Sequence, residues 1–230
     1  MAASFVLHVP ILEYHRIKPW AGETGFARDL ITPPADFQAQ IDAMAAAGWK
    51  TITMGQLGDD LRFGITPEPK TFVITFDDGY EDGYQNAFPA LLTHGYVATF
   101  FVIASRIGSP GFLSAFEMRQ LVAAGNEIGN HSYSHKDLAA MTPDRLPLEI
   151  EGASAIIASA TGQWPRSFSY PKGFGSGILQ DRLAACPGLE TAVIQGGSSP
   201  ETWLNRWRLP RIRVGAGTYP SDLVQRAGRY

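Results

Sequence analysis

Two short stretches carry residue types suited to hydrolytic chemistry. In Thr75-Phe76-Asp77-Asp78-Gly79, adjacent carboxylates sit where an apolar run stops. Successive residues of an extended segment point in different directions. One carboxylate could therefore bind a cation while its neighbour takes a proton, and Gly79 would let the backbone turn sharply afterwards. Asp-Asp-Gly is equally good turn chemistry. In His131-Ser132-Tyr133-Ser134-His135, two of the chain's five histidines stand four apart. That spacing puts both on one side of a helical turn and aims them at one ion, although a pair of surface histidines would show it too. Asp78, His131 and His135 together make a two-His, one-carboxylate set. Three protein ligands leave positions for water and substrate, the arrangement of a catalytic and not a closed structural site. Such donors permit Zn2+, Co2+, Ni2+ or Fe2+, with Zn2+ the expectation. Cys186 is the only cysteine, which excludes an internal disulfide and any cysteine-based zinc cluster.

These residues need elements to position them. The clearest strand is 71–76, a nearly continuous β-branched and aromatic run of the kind covered on both sides. Further strands are expected at 5–14, 51–54, 96–103, 127–130, 168–170, 191–194 and 209–214. Between them lie helical stretches. One has Asp36 as N-cap, Phe37, Ile41 and Met44 on one face and Gly48 past its end. Another follows 71–76 to about His94, with Gly95 as its stop. A third spans 114–124, with Ser114 and Glu117 at capping-box spacing. The rest cover 143–160, 176–185 and 221–226. Repeated strand–helix units imply parallel strands joined by crossovers. An open doubly wound sheet and a barrel both fit, but polar groups that must converge from several strand ends favour a barrel.

The 230 residues carry a net charge of −3 with no basic block, which argues against a dedicated nucleic-acid binder. No apolar run reaches the length of a membrane span. No interior linker divides the chain, so residues 1–230 read as one catalytic domain. The compartment stays open: a removed signal peptide would place the protein outside the cytoplasm or at the cell envelope, and without one it would be cytoplasmic.

Thr-Phe-Asp-Asp-Gly followed about fifty residues later by His-Ser-x-x-His resembles the polysaccharide deacetylase family, the NodB-homology carbohydrate esterases. The resemblance implies a distorted (β/α) barrel of about seven parallel strands and a divalent metal that serves the removal of acetyl groups from sugars. It makes Asp77 the general base and Asp78, His131 and His135 the ligands. The family's third motif is represented by Phe168-Ser169-Tyr170-Pro171-Lys172-Gly173, where a backbone N–H at Lys172 would serve the oxyanion. Ser169 replaces the motif's usual arginine, so Arg211 in Arg208-Leu209-Pro210-Arg211 is expected to orient Asp77. No histidine follows His135 to serve as general acid. Pro10-Ile11-Leu12-Glu13-Tyr14-His15 instead resembles the opening of the poly-N-acetylglucosamine deacetylase branch, which makes His15 the acid. First and last strands are neighbours in a closed barrel, so either can serve one mouth. Among the aromatics Trp20, Tyr80, Tyr84, Tyr133, Trp203 and Trp207, Trp207 is the candidate for stacking on sugar. The expected substrate is an N-acetylglucosamine-containing polymer or oligomer. An O-acetyl esterase of the xylan type, or a catalytically weak carbohydrate-binding barrel, are the alternatives.

Overall fold

The computed structural model describes residues 5–173, 177–197 and 199–230. Seven short parallel strands run side by side in a curled sheet, in the order Thr191–Val193, Ser167–Ser169, Glu127–Asn130, Thr99–Val102, Thr71–Phe76, Ile11–Tyr14 and Ile212–Arg213. An eighth, Lys50–Ile52, pairs with the first half of Thr71–Phe76, while Thr99–Val102 pairs with its second half. The two ends of the sheet meet through Leu209. Its N–H donates to Ala192 O (2.9 Å), and its carbonyl accepts from Ile194 N–H (2.9 Å). The result is a distorted (β/α) barrel, as expected.

Side chains alternate across each strand, and both faces are covered. Leu12, Tyr14, Phe72, Ile74, Phe76, Phe100 and Ile128 pack in the large cluster under the helices. Ile11, Val73, Phe101, Val193 and Leu209 form the cluster inside the barrel, with Met54, Leu57 and Leu61. Phe101 fills this interior so fully that a methyl group at Gly129 would lie 2.4 Å from its ring. The register Ile11↔Val73 and Glu13↔Thr75 then matters for chemistry. Two residues beyond the apolar layer, the same inward face presents Glu13 and Thr75, and one step further Asp77, at the carboxyl end of the barrel.

The expected strand 5–14 is two strands. Val6–Leu7 pairs antiparallel with Glu201–Thr202, and Ile11–Tyr14 enters the barrel after Pro10, which has no N–H for a ladder. Two expected helices contain a wide π turn: Gly83–Ala87 runs into Phe88–Leu92, and Leu148–Gly152 into Ala153–Thr161. In each case a proline (Pro89, Pro147) lacks the N–H that an α-helical ladder needs nearby. The helix Pro34–Ala46 is N-capped by Pro33, so Asp36 lies in its first turn and is not the cap. Ser114 and Glu117 do form the capping box: Ser114 N–H donates to Glu117 Oε2 (2.8 Å), and Glu117 N–H to Ser114 Oγ (3.3 Å). The helix expected at 176–185 is Gly177–Ala185; Ser176 lies outside the described residues. The last helix is Pro220–Ala227. Among the described residues no helix is long and apolar enough to cross a membrane.

Candidate active site

Asp77 continues the Thr71–Phe76 ladder by one rung, its N–H donating to Tyr14 O (2.9 Å). Its side chain therefore stays on the inward face with Thr75. Arg211 meets it from the segment that leads into Ile212–Arg213. Nη1 donates to Asp77 Oδ1 (2.8 Å) and Thr75 Oγ1 (3.1 Å), and Nη2 to Asp77 Oδ2 (2.7 Å) and Ser169 Oγ (3.2 Å). Both partners are buried, Arg211 at 2% and Asp77 at 3% exposure. Burial alone would raise the Asp77 carboxyl. The Arg211 guanidinium, joined by His131 and His15, outweighs it and holds the group well below the usual carboxylate range. A small side chain at Ser169 leaves the guanidinium room to reach both Asp77 oxygens.

Asp78 is not extended, contrary to the expectation for the pair. Asp78 (φ 73°) and Gly79 (φ 71°) are both left-handed, which swings Asp78 off the face that carries Asp77. Only glycine suits the next position: a Cβ on Gly79 would sit 2.9 Å from Val102 Cγ1. The histidine pair is not helical either. His131 N–H donates to Val102 O (3.0 Å) and so extends its ladder. The chain then reverses through Ser132 (φ 63°) and His135 (φ 57°). Side chains supply the bonds a helix would have made: Asn130 Oδ1 accepts Ser132 N–H (2.7 Å), Ser132 Oγ accepts His135 N–H (2.9 Å), and Glu149 accepts Ser134 N–H (2.9 Å). Local side-chain acceptors of this kind outcompete the helical ladder.

The loop nevertheless brings the two rings together. His131 Nε2 and His135 Nε2 lie 3.5 and 3.3 Å from Asp78 Oδ1. His131 Nδ1 is 2.8 Å from Ser169 O. A carbonyl only accepts, so Nδ1 carries the hydrogen and Nε2 is the ring atom left to ligate an ion. Burial, and then His131 beside it, push the His135 imidazole down to about 4, which keeps it neutral near pH 7. Asp78 Oδ1 is buried and accepts no hydrogen bond. A buried carboxylate oxygen with the Nε2 atoms of two imidazoles beside it is a donor set that a divalent cation fits.

His15 stands just past Tyr14 and lines the same pocket as Asp77, Asp78, His131 and His135. Its Nδ1 is buried without a hydrogen bond, 4.0 Å from Glu13 Oε1. Glu13 is 1% exposed. Its Oε1 accepts from Gln195 Nε2 (3.3 Å), and its Oε2 is 3.4 Å from Arg211 Nε. In the sequence Glu13 stands only as a variable position of the Pro-x-Leu-x-Tyr-His stretch. Its signal was a carboxylate at an inward position of an otherwise apolar strand. Glu13, His15 and Asp77 form a second close group of ligand atoms, but the Arg211 guanidinium between the carboxylates would repel a second cation.

Tyr170 and Lys172 also line the pocket, whereas Pro171 is buried behind them. Lys172 is left-handed (φ 65°). Trp207 does not reach the pocket. It is 7% exposed and packs in the cluster of Leu183, Leu189 and Ala192, so the stacking expected of it has no surface to act on. The aromatic wall is formed instead by Phe26, Tyr80 and Phe112, with Tyr80 and Phe112 stacked at 5.1 Å.

The sequence pattern of the polysaccharide deacetylases matches residues 64–187, just over half of the chain and the stretch that holds Asp77, Asp78, His131 and His135. The chain belongs to the polysaccharide deacetylase family. Two curated relatives are similar: YxkH of Bacillus subtilis strain 168, 31% identical over 91% of this chain and 72% of its own length, and a chitooligosaccharide deacetylase of Bradyrhizobium, 31% identical over 61% of this chain and 62% of its own. Among solved structures, IcaB from Ammonifex degensii superposes with a TM-score of 0.78 at 26% identity, covering 96% of each chain. His15 and Arg211 fall outside the matched family stretch, and the barrel's closure brings them to the site.

Proposed function

We propose that residues 1–230 are one catalytic domain that hydrolyses N-acetyl groups on an N-acetylglucosamine-containing polysaccharide or oligosaccharide, with one divalent metal ion, Zn2+ in the first place. The observation that carries this reading is a buried, ionised Asp77 left outside the set of Asp78, His131 and His135 yet opening on the same pocket. A binding module has no use for a spare base beside a metal. The relative named a chitooligosaccharide deacetylase supports an acetylated amino sugar as substrate. The Pro-x-Leu-x-Tyr-His opening and the Leu-Pro-Arg segment make poly-N-acetylglucosamine the first polymer to try, ahead of chitin oligomers and peptidoglycan.

A divalent ion held by Asp78, His131 and His135 supplies Lewis-acid polarisation of the acetyl carbonyl and acidifies water. Asp77 takes the proton of the attacking water. Arg211 fixes both Asp77 oxygens and so sets the direction in which the proton is received. The Lys172 N–H donates to the oxygen that gains negative charge. His15 delivers a proton to the sugar nitrogen as the C–N bond breaks, because an amine leaves poorly without one. Acetate and a free amino sugar result.

The test is acetate release from N-acetylglucosamine oligomers and from acetylated xylan, before and after chelation and metal return. Release from the N-acetyl oligomers that chelation abolishes and Zn2+ restores is expected. Metal-loaded protein that frees acetate from xylan alone would make it an O-acetyl esterase, and release from neither would end the enzymatic reading.

A further inference from the structure

We infer that Glu13 is a positioning residue for the reaction. It holds the Nδ1–H edge of His15 so that Nε2 faces the leaving nitrogen, and it shares Arg211 with Asp77 so that the charges of base and acid balance as protons move. This rests on the reading of His15 as the acid.

The argument begins with burial. Glu13 is 1% exposed, and a buried carboxylate is costly unless it is paired. Its partners fall short. Arg211 is already committed to both Asp77 oxygens at 2.8 and 2.7 Å. It offers Glu13 only its Nε edge, at 3.4 Å, and Glu13 Oε2 accepts no hydrogen bond. Two buried carboxylates thus share one guanidinium, a surplus of one negative charge. His15 is the group placed to complement it: its ring nitrogen and the Glu13 and Asp77 oxygens all lie within 4.8 Å of one another. His15 Nδ1 is itself buried and unbonded, 4.0 Å from Glu13 Oε1. A small turn of either side chain closes that gap to hydrogen-bond distance. Gln195 Nε2 also donates to Glu13 Oε1, at 3.3 Å.

The charges then close over the reaction. With His15 protonated, Asp77, Glu13, Arg211 and His15 sum to zero. Asp77 gains the proton of water, and His15 gives its own to the amine. Glu13 remains as the counter-ion of Arg211, and the sum is again zero. Without Glu13, Arg211 would face a neutral Asp77 alone in a buried site at the end of the transfer.

Two measurements decide this. Nitrogen NMR of metal-loaded protein, with the His15 signal assigned by its loss in His15→Ala, reads the tautomer without any substrate. The neutral ring is expected as Nδ1–H in the wild type and as a mixture or Nε2–H in Glu13→Met. An Nε2–H wild-type ring overturns the inference whether or not a variant folds. In kinetics, Glu13→Met and Glu13→Gln should lower kcat on an N-acetyl oligomer about 10- to 100-fold with KM nearly unchanged. Hydrolysis of nitrophenyl acetate, which draws on Asp77 and Arg211 but whose leaving group needs no proton, should fall clearly less than amide hydrolysis does. In the His15→Ala background the Glu13 substitution should cost clearly less than it does in the wild type. Equal losses on amide and ester, or losses that multiply with His15→Ala, overturn it. A wild type that releases no acetate from any amide would instead defeat the proposed function, and the tautomer would still test Glu13.

Discussion

Replacing Arg211 with Met removes the one guanidinium that two buried carboxylates share. Lost with it are the paired bonds to Asp77 at 2.8 and 2.7 Å and those to Thr75, Ser169 and Ile194. Breaking a buried ion pair by removing one partner costs about 3–5 kcal/mol, and the pH dependence gives the mechanism away. In the wild type, Asp77 titrates lower when folded than when unfolded. The pair therefore contributes stability that is present above the unfolded carboxylate range and is lost as pH falls through the folded value. In Arg211→Met, burial acts on Asp77 with no guanidinium to oppose it, so the carboxyl moves up instead. The variant then regains stability as acid protonates Asp77. The deficit should be near its full size at about pH 7 and shrink toward about pH 4. Urea unfolding of metal-free protein at a series of pH values measures it. A deficit below about 1 kcal/mol at neutral pH, or one that does not change with pH, would refute the reasoning.

Other outcomes follow from the same geometry. Gly79→Ala forces a Cβ against Val102 at a φ of 71°; it should cost more than about 2 kcal/mol and weaken metal binding, and wild-type behaviour in calorimetry would contradict this. His15→Ala should lower amide turnover about 100-fold while sparing an acetyl ester with a good leaving group; equal losses on both would remove His15 as the acid. Glu201 is fully buried at the Val6–Leu7 pairing, where its carboxylate accepts Val9 N–H (3.0 Å), and burial raises it to about 7. Its stabilising neutral form is present below the unfolded carboxylate pKa and lost as pH rises through the folded one, a change of about 3 kcal/mol. Glu201→Gln, which keeps an acceptor for Val9, should therefore be the more stable protein at pH 8 and equal to wild type near pH 4.5; parallel stability curves would contradict this.

The chemistry was more legible in the sequence than the geometry that delivers it. Asp77, Asp78, His131 and His135 were identifiable because a carboxylate pair at the end of an apolar run and a His-x-x-x-His spacing are local signals. The helical reading of the histidines failed because spacing of four is blind to a left-handed Ser132 and to the Asn130 and Glu149 side chains that replace helical bonds. Asp36 failed as a cap because Pro33-Pro34 already fixes the helix start. Glu13 shows in the sequence only as a carboxylate inside an apolar strand. Its meaning depends on strand register with Thr75 and on Arg211, almost two hundred residues away, which only barrel closure supplies. Composition cannot tell which face of the Leu204–Leu209 stretch turns inward, so it points Trp207 at sugar where the fold buries it.

The most direct test is diffraction from Zn2+-loaded crystals at the zinc absorption edge. A single anomalous peak is predicted about 2.0–2.2 Å from Asp78, His131 Nε2 and His135 Nε2, with Asp77 still bound to Arg211 and not to the ion. A fully loaded protein with its zinc elsewhere, or with Asp77 as a ligand in place of Asp78, would contradict the account.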